Sequence, residues 1–185
     1  MRVISGTARG KKLTSLEGLE TRPTLDRVKE AVFNILQFDL KDANVLDLFS
    51  GSGALAVEAL SRGATKATLC DFSKKAINII NKNLEDTRLK NKAEVFNKDY
   101  IELLNSLKDR TEKFNIIFLD PPYKTDYMFR SIYKILEYNL LDKDGIIVAE
   151  TDDKNKIEKI KKIEGIEIYD VRKYGIVHII FIRKG

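Results

Sequence analysis

The sequence has few of the residues that build disulfides and metal sites. Among its 185 residues there are one cysteine, Cys70, one histidine, His178, and no tryptophan. A single cysteine excludes an intrachain disulfide and any zinc site made from several thiolates. We expect Cys70 to be a small buried hydrophobe, and we expect neither catalysis nor metal binding from His178, which lies in an apolar run near the C-terminus. The sequence thus favours chemistry without a metal or a Ser-His-Asp triad.

Long apolar runs are also missing. No stretch approaches the roughly 20 apolar residues that are needed to cross a bilayer. The N-terminal residues Met1 to Gly6 lack the apolar segment of a secretory signal, so we expect a cytoplasmic protein that does not enter membranes. The length suits one domain with a short extension, and a monomer is the expected oligomeric state.

Positive charge is in excess, and it is unevenly distributed. The 33 lysines and arginines outnumber the 28 aspartates and glutamates and give a net charge of +5. Near the N-terminus the excess is concentrated in Arg9-Gly10-Lys11-Lys12. Such a run favours a polyanionic partner such as nucleic acid. Taken alone, it is equally compatible with an ordinary solvated surface.

The chain divides into a short N-terminal arm, residues 1–23, and a main domain, residues 24–185. The arm is basic and contains several glycines. Val3–Ile4 and Lys11–Leu13 are candidate strands of a small hairpin beside the main domain.

The main domain opens with a helix that we predict from Thr24, its N-cap, through Phe38, because apolar residues recur there at helical spacing. Arg27 and Lys29 lie off the apolar stripe. Two interpretations are equally good: these charges keep the helix soluble, or together with Arg22 they hold phosphates at the entrance of a site.

Strand and helix patterns alternate through the rest of the chain. The predicted strands are residues 44–49, 66–71, 93–97, 115–119, 146–149, 166–171 and 176–183. This alternation predicts an α/β fold with a doubly wound, mostly parallel, seven-stranded, Rossmann-like sheet and right-handed crossovers. The last two strands are predicted to form a hairpin at the sheet edge.

A glycine loop follows the first strand. Gly51-Ser52-Gly53 comes directly after a strand that contains Asp47, and Asp71 ends the next strand. The loop satisfies the dinucleotide-binding fingerprint, but Asp47 would repel a pyrophosphate. An acid beside glycines suits the ammonium and sulfonium of S-adenosylmethionine better. We therefore favour S-adenosylmethionine over a dinucleotide, with Asp71 placed like the ribose-binding acid of nucleotide folds.

The fourth strand ends in Asp120-Pro121-Pro122-Tyr123. The prolines stiffen the backbone, so that Asp120 and a main-chain carbonyl could accept the hydrogens of an amino group while Tyr123 stacks on a nucleobase. The alternative is a plain proline turn in which Asp120 caps the next element. If the first and fourth strands are neighbours, Gly51, Gly53 and Asp120 border one crevice at the carboxyl ends of the strands.

Over nearly its whole length the sequence resembles the RsmD family, the bacterial guanine-N2 methyltransferases of small-subunit ribosomal RNA. The most specific motif is Gly6-Thr7-Ala8-Arg9-Gly10-Lys11-Lys12-Leu13, followed by residues 21–24 and 26–34. The motifs at residues 47–55, 58–64 and 119–123 complete the likeness. Two departures are Cys70-Asp71, where an apolar residue and Glu are more usual, and the less polar Ile176-Val177-His178.

The resemblance implies methyl transfer from S-adenosylmethionine to N2 of a guanine of 16S ribosomal RNA, guanine 966, in naked RNA or a ribosomal particle. It implies cofactor contacts by Asp47, Phe49, Gly51, Gly53, Asp71 and Asp99, the last of which could equally cap the next helix. It places Asp120, Pro121 and Tyr123 at the target base, and the basic residues Arg9, Lys11, Lys12, Arg22 and Arg27 on the RNA. No metal is implied.

Two other functions stay open from the residues alone. One is amino methylation of another target, either DNA adenine or cytosine or a protein glutamine. The other is a non-catalytic RNA-binding module.

Overall fold

The computed structural model describes residues 1–16 and 23–185, with the backbone alone for residues 23–25. The helices are α1 (Pro23–Ile35), α2 (Ala54–Ser61), α3 (Lys74–Asp86), α4 (Tyr100–Leu107), α5 (Tyr127–Glu137) and α6 (Lys154–Ile160). The strands are β1 (Asn44–Asp47), β2 (Lys66–Asp71), β3 (Ala93–Asn97), β4 (Phe114–Leu119), β5 (Leu141–Thr151), β6 (Ile166–Tyr174) and β7 (Val177–Lys184).

The seven strands form one sheet in the order β3-β2-β1-β4-β5-β7-β6. The neighbouring pairs from β3 to β5 are parallel, whereas β7 runs antiparallel to both β5 and β6. The predicted doubly wound, mostly parallel sheet is confirmed. Chain order reverses between β1 and β4, which is where such sheets bind ligands.

Some element boundaries differ from the predictions. Helix α1 begins at Pro23 and ends at Ile35, so Thr24 is not its N-cap and Phe38 lies in a turn, where it is 88% exposed. Proline suits the start of a helix because its missing N–H has no helical partner there. Strand β5 begins at Leu141, earlier than predicted, because charged residues at its start hide the apolar pattern.

The sheet is covered on both faces. One apolar cluster joins the arm, α1, α2 and α3 to side chains such as Val45 and Phe118, and the other joins α4, α5 and α6 to Leu46 and Ile117. Successive strand residues alternate between the two clusters, as the period of two requires. A strand buried on both faces reads as a continuous apolar run, which explains the pattern of β4.

The arm is packed tightly on α2. Residues 1–13 form the predicted hairpin, in which Arg2 pairs with Lys12. Gly6 has φ of 83°, and a Cβ on it would lie 1.8 Å from the carbonyl oxygen of Ser61. Only glycine allows this approach. The main-chain nitrogens of Ile4 and Ser5 donate to the carboxylate of Glu58 at 2.8 and 3.0 Å.

Glu58 is fully buried and holds two cations as well. Lys29 Nζ lies 3.1 Å from Glu58 Oε2, and Arg62 Nε lies 2.8 Å from Oε1. Lys29 is therefore neither a solubilising residue nor an entrance residue facing solvent, which corrects both interpretations of its charge. It is 5% exposed and donates to the carbonyl oxygen of Arg2 at 2.6 Å.

Within residues 1–16 and 23–185, every helix is too short or too polar to span a bilayer.

Candidate functional site

Two cavities lie at the carboxyl ends of the strands and share Phe49, Gly51, Asp120 and Tyr123. The outer cavity, about 720 Å³, also reaches Asp71, Phe72, Lys98, Asp99, Tyr100, Pro121, Pro122 and Tyr127. The inner cavity, about 300 Å³, extends under the arm and α1 to Met1, Leu16, Lys29, Asp47, Val148 and Glu150. The predicted meeting of the glycine loop and Asp120 in one crevice is therefore present.

Asp47 lies at the floor of the inner cavity. Its side chain is 3% exposed, and among the described residues Oδ2 has no hydrogen-bond partner. Burial raises its pKa to about 7, with a further contribution from the charge of Asp71, against hydrogen bonds from the backbone of Ala56 and from Ser50. An unpaired buried carboxylate favours a cation beside it, so this position fits the ammonium end of S-adenosylmethionine.

The glycine loop is held between β1 and β2. Gly51 has φ of 55°, with open space where a Cβ would stand, so a ligand can approach its backbone closely. Its nitrogen donates to Asp71 Oδ2 at 2.9 Å. Gly53 has a different position, because its Cβ would lie 3.2 Å from Leu69 and 3.3 Å from Ile80. Gly53 packs on the core and precedes α2.

Asp71 and Asp99 line the outer cavity at the ends of β2 and β3. Asp71 Oδ1 accepts a hydrogen bond from the main-chain nitrogen of Ser73 at 2.9 Å, and Oδ2 accepts the one from Gly51. Both oxygens of Asp71 are therefore oriented by backbone donors. Asp99 is exposed and caps the N-terminus of α4, because its Oδ1 accepts a hydrogen bond from the main-chain nitrogen of Ile101 at 2.9 Å. Both interpretations of Asp99 remain compatible with its position, since a capping carboxylate keeps free lone pairs.

Aromatic rings form one wall of the outer cavity. The ring centroids of Phe49 and Tyr100 are 5.1 Å apart, and Tyr100 lies 4.7 Å from Tyr127. Phe72 pairs with no other ring among the residues that the structure describes, and it is 79% exposed. Phe72 was not predicted as a site residue, although an aromatic residue directly after the acid that ends a strand is a usable signal. A flat heterocycle would find stacking surfaces here.

Asp120 projects from the end of β4 toward the crevice, and Pro121 is buried behind it. Asp120 is solvent-exposed as a residue at the mouth of the crevice, but the neighbouring protein desolvates its carboxylate. This desolvation raises its pKa well above the usual value, and the charges of Glu150 and Asp47 raise it further. Asp120 therefore gains a proton more readily than an ordinary surface aspartate.

Tyr123 is half-buried, and its hydroxyl donates to Glu150 Oε1. Burial and this hydrogen bond raise the pKa of Tyr123. Burial also raises the pKa of Glu150, whereas the bond from Tyr123 lowers it. Glu150 was not predicted as a site residue, because an acid near the end of a strand has no distinctive sequence context.

The segment after Asp120 is fastened by Lys156 of α6. Lys156 is 8% exposed, and its Nζ donates to the carbonyl oxygens of Tyr123 and, at 3.1 Å, Thr125. From the sequence alone, the charged run over residues 154–162 predicts lysines on a solvated face, and this prediction is wrong for Lys156. A buried ammonium that bonds two carbonyls fixes the position of Tyr123.

The basic residues lie outside the crevice. Arg9 and Arg27, together with Arg2, line a groove of about 360 Å³ between the arm and α1, which also contains Asp26 and Glu30. We call it the basic groove.

Lys11 and Lys12 are exposed on the hairpin. Arg22 lies outside the described residues.

The two rare residues are buried. The thiol of Cys70 donates to the carbonyl oxygen of Lys98 at 3.3 Å, and burial, followed by the charge of Asp71, raises its pKa to about 12. Cys70 is therefore the small buried residue that was predicted. His178 lies on β7 opposite Thr151 and is 6% exposed.

A sequence profile of the family described as "Conserved hypothetical protein 95" matches residues 1–183. The chain belongs to this family, the RsmD family. Ribosomal RNA small subunit methyltransferase D of Haemophilus influenzae is 37% identical over 153 residues, which cover 82% of this chain and 79% of that protein. The Bacillus subtilis protein YlbH is 38% identical over 184 residues, which cover 100% of this chain and 99% of YlbH.

Solved structures agree with this membership. The structure of yhhF from Escherichia coli matches with a TM-score of 0.85 and 31% identity, covering 100% of this chain and 97% of that chain. The family resemblance and the Rossmann-like fold predicted from the sequence are both confirmed.

Proposed function

We propose that this RsmD-family chain transfers a methyl group from S-adenosylmethionine to the N2 amino group of a guanine in small-subunit ribosomal RNA. The observation that carries the proposal is the meeting of the glycine loop and Asp120 around the same two cavities. Family membership and the name of the Haemophilus influenzae relative support ribosomal RNA as the substrate.

The cofactor would lie across both cavities. When bound, S-adenosylmethionine supplies an electrophilic methyl group on a sulfonium. Asp47 would face its ammonium, and Phe49 and the open backbone at Gly51 would contact the methionine end. Asp71 would accept the ribose hydroxyls, and Asp99 the adenine amino group. Gly53 would contribute indirectly, by setting the turn that begins α2.

Asp120 and Tyr123 would hold the target guanine. The lone pair of the guanine amino nitrogen is delocalised into the ring. Hydrogen bonds from the N2 hydrogens to the Asp120 carboxylate and a main-chain carbonyl would localise it, while Tyr123 stacks on the ring. Pro121 would keep Asp120 rigid, so that alignment supplies much of the rate. Methyl transfer would break the methyl–sulfur bond of S-adenosylmethionine as the nitrogen–carbon bond forms. The nitrogen would then lose a proton, which Asp120 would accept.

The target base must leave its stack or lie in a loop to reach Asp120. Arg9 and Arg27 in the basic groove, with Lys11, Lys12 and Arg22, would contact phosphates and position the RNA. On the basis of the RsmD family, we further propose that the methylated nucleotide is guanine 966 of 16S RNA, in naked RNA or in a ribosomal particle.

The test is methyl transfer from radiolabelled S-adenosylmethionine to ribosomal RNA, small ribosomal subunits, DNA and total protein. We expect label in RNA as N2-methylguanosine, mapped to its nucleotide by mass spectrometry. Asp120→Ala should abolish the label. The control Asp144→Ala makes the same substitution at a side chain that is 87% exposed, and it should retain the label.

Other outcomes would reject the proposal in different ways. Label only in protein or only in DNA would indicate one of the other amino methylations. No label in any substrate, with intact RNA binding, would indicate an RNA-binding module. Label that persists in Asp120→Ala would exclude the mechanism.

A further inference from the structure

Glu150 is a second carboxylate beside Asp120 in the inner cavity, and the proposed reaction assigns it no role. In the parallel ladder of β4 and β5, Leu119 pairs with Ala149. Asp120 directly follows Leu119, and Glu150 directly follows Ala149. Asp120 and Glu150 therefore lie next to each other on the same face of the sheet. The charge of Glu150 is one cause of the raised pKa of Asp120.

The position of Glu150 is fixed from two directions. Its backbone pairs with Ile179 of β7, and the hydroxyl of Tyr123 donates to Oε1. Within residues 1–16 and 23–185, Oε2 accepts no hydrogen bond. The side chain therefore presents one oriented oxygen to the inner cavity, which Glu150 lines together with Asp120.

A second carboxylate at this point is costly unless a ligand uses it. Two carboxylates side by side repel each other, and burial disfavours the charge of each. A hydrogen-bond donor on the substrate, adjacent to the amino group that Asp120 holds, would compensate the cost.

Guanine has such a donor, and the competing targets do not. In guanine, the amino group N2 stands next to N1–H, which donates. In adenine, N6 stands next to N1, which is an acceptor, and in cytosine N4 stands next to the acceptor N3. In a glutamine amide, the neighbour of the nitrogen is the carbonyl oxygen. A carboxylate beside the amino group attracts guanine and repels the other three.

We propose that Glu150 determines the specificity for guanine by accepting N1–H through Oε2 while Asp120 accepts N2–H. This assignment rests on the proposed function and narrows its substrate class to bases with a donor beside the amino group. Tyr123 then has two functions, because its ring faces the base and its hydroxyl orients Glu150.

The experiment compares guanine with 2-aminopurine, which keeps the 2-amino group but has an acceptor at N1. The substrate is a small-subunit RNA fragment, or the subunit reconstituted with it, carrying either base at the nucleotide that mass mapping identifies. For wild type, Glu150→Ala, Glu150→Gln and Tyr123→Phe, kcat/KM is measured with each base. Cofactor binding by each variant monitors the integrity of the fold.

We expect Glu150→Ala to lower kcat/KM for guanine by about 10- to 100-fold, the effect of losing one hydrogen bond to a charged group. With 2-aminopurine the same variant should raise kcat/KM, because the carboxylate that repels its N1 acceptor is gone. The preference for guanine should therefore collapse. Glu150→Gln has a similar shape and keeps an acceptor carbonyl, so it should retain part of the preference. Tyr123→Phe keeps the ring and should weaken the preference less than Glu150→Ala.

Equal losses for both bases in Glu150→Ala and Glu150→Gln would overturn the assignment and leave Glu150 a support for Tyr123. An unchanged preference for guanine would also overturn it. Failure of the proposed function is distinguishable, because the wild-type protein would then not methylate guanine at all.

Discussion

Asp120 and Glu150 stand side by side at the carboxyl ends of two adjacent parallel strands, and their charges are coupled. Burial is the largest cause of the raised pKa of Asp120, and the charge of Glu150 is the second. The acid that would hold the target amino group is therefore adjusted by a neighbour that sequence analysis did not identify.

This coupling predicts a pH dependence of methyl transfer. The ionised carboxylate of Asp120 is the stronger hydrogen-bond acceptor and the form that can take up the amino proton. Because the pKa of Asp120 is raised, its ionisation requires a higher pH than usual. We expect kcat/KM to rise with pH to a plateau. Glu150→Gln removes a negative neighbour and should move the midpoint to lower pH. A pH–rate profile of both proteins measures the shift, and an unchanged or higher midpoint in the variant would contradict the coupling.

The raised pKa of Asp47 predicts that the folded protein loses stability as the pH rises. Its pKa is about 7 in the folded protein against 3.8 as the ordinary value, so the folded state binds its proton more tightly. Ionisation of Asp47 therefore removes a few kcal/mol of stability as pH rises from about 4 to about 7. Without cofactor, Asp47→Asn should be more stable than wild type at pH 8 and similar to it at pH 4.

Urea unfolding at the two pH values measures this difference. The same Asp47→Asn variant should bind S-adenosylmethionine more weakly than wild type, because the carboxylate opposite the ammonium is gone. A variant that is no more stable at pH 8, or that binds the cofactor equally well, would remove Asp47 from the proposed cofactor site.

Glu58 predicts a large loss of stability away from the site. Its carboxylate is fully buried and pairs with Lys29 and Arg62. Glu58→Gln keeps the shape but leaves the buried Lys29 ammonium without its counter-charge, so we expect a loss of about 3–5 kcal/mol. The matched control is Asp86→Asn, which breaks the exposed pair with Lys82 and should cost about 0.5 kcal/mol or less. Equal losses in urea unfolding would contradict the role of Glu58.

The basic groove predicts an effect on RNA binding alone. The double variant Arg9→Ala/Arg27→Ala should weaken binding to ribosomal RNA, because phosphate contacts are lost, and should leave cofactor affinity unchanged. The slope of log K against log salt should fall by about 1.4–1.8 for two contacts. The control, Lys92→Ala/Lys143→Ala, removes the same charge from exposed residues near the amino ends of β3 and β5, which do not line the groove. An equal effect of both pairs would show that net charge, not the groove, determines binding.

Local patterns predicted most of the fold. The apolar run of β4 and the breaker Pro121 place the end of that strand correctly, because both signals depend on adjacent residues. Strand β2, which ends at Asp71, was likewise predicted with the correct bounds. Helix α1 was misplaced at both ends; at its start, both Thr24 and Pro23 are residues that the local sequence rules accept.

The site was predicted in part. Asp47, Gly51 and Asp120 were singled out because each lies in or directly after a recognisable strand. All three line the inner cavity, and their roles in the reaction stay predictions. Glu150 and Lys156 were missed, since a single charged residue in an ordinary strand or helix gives no sign of what it faces.

The sequence by itself determined the succession of strands and helices along the chain, the absence of thiolate metal sites, and the family. These properties depend on composition, periodicity and contiguous motifs. Only the tertiary structure decided that Glu150 lies beside Asp120, that Lys29 is buried against Glu58, and that Gly53 packs on the core rather than facing the crevice. Those relationships join residues that are distant in the chain. They depend on the order of the strands in the sheet, on their register, and on the face of the sheet from which each side chain projects.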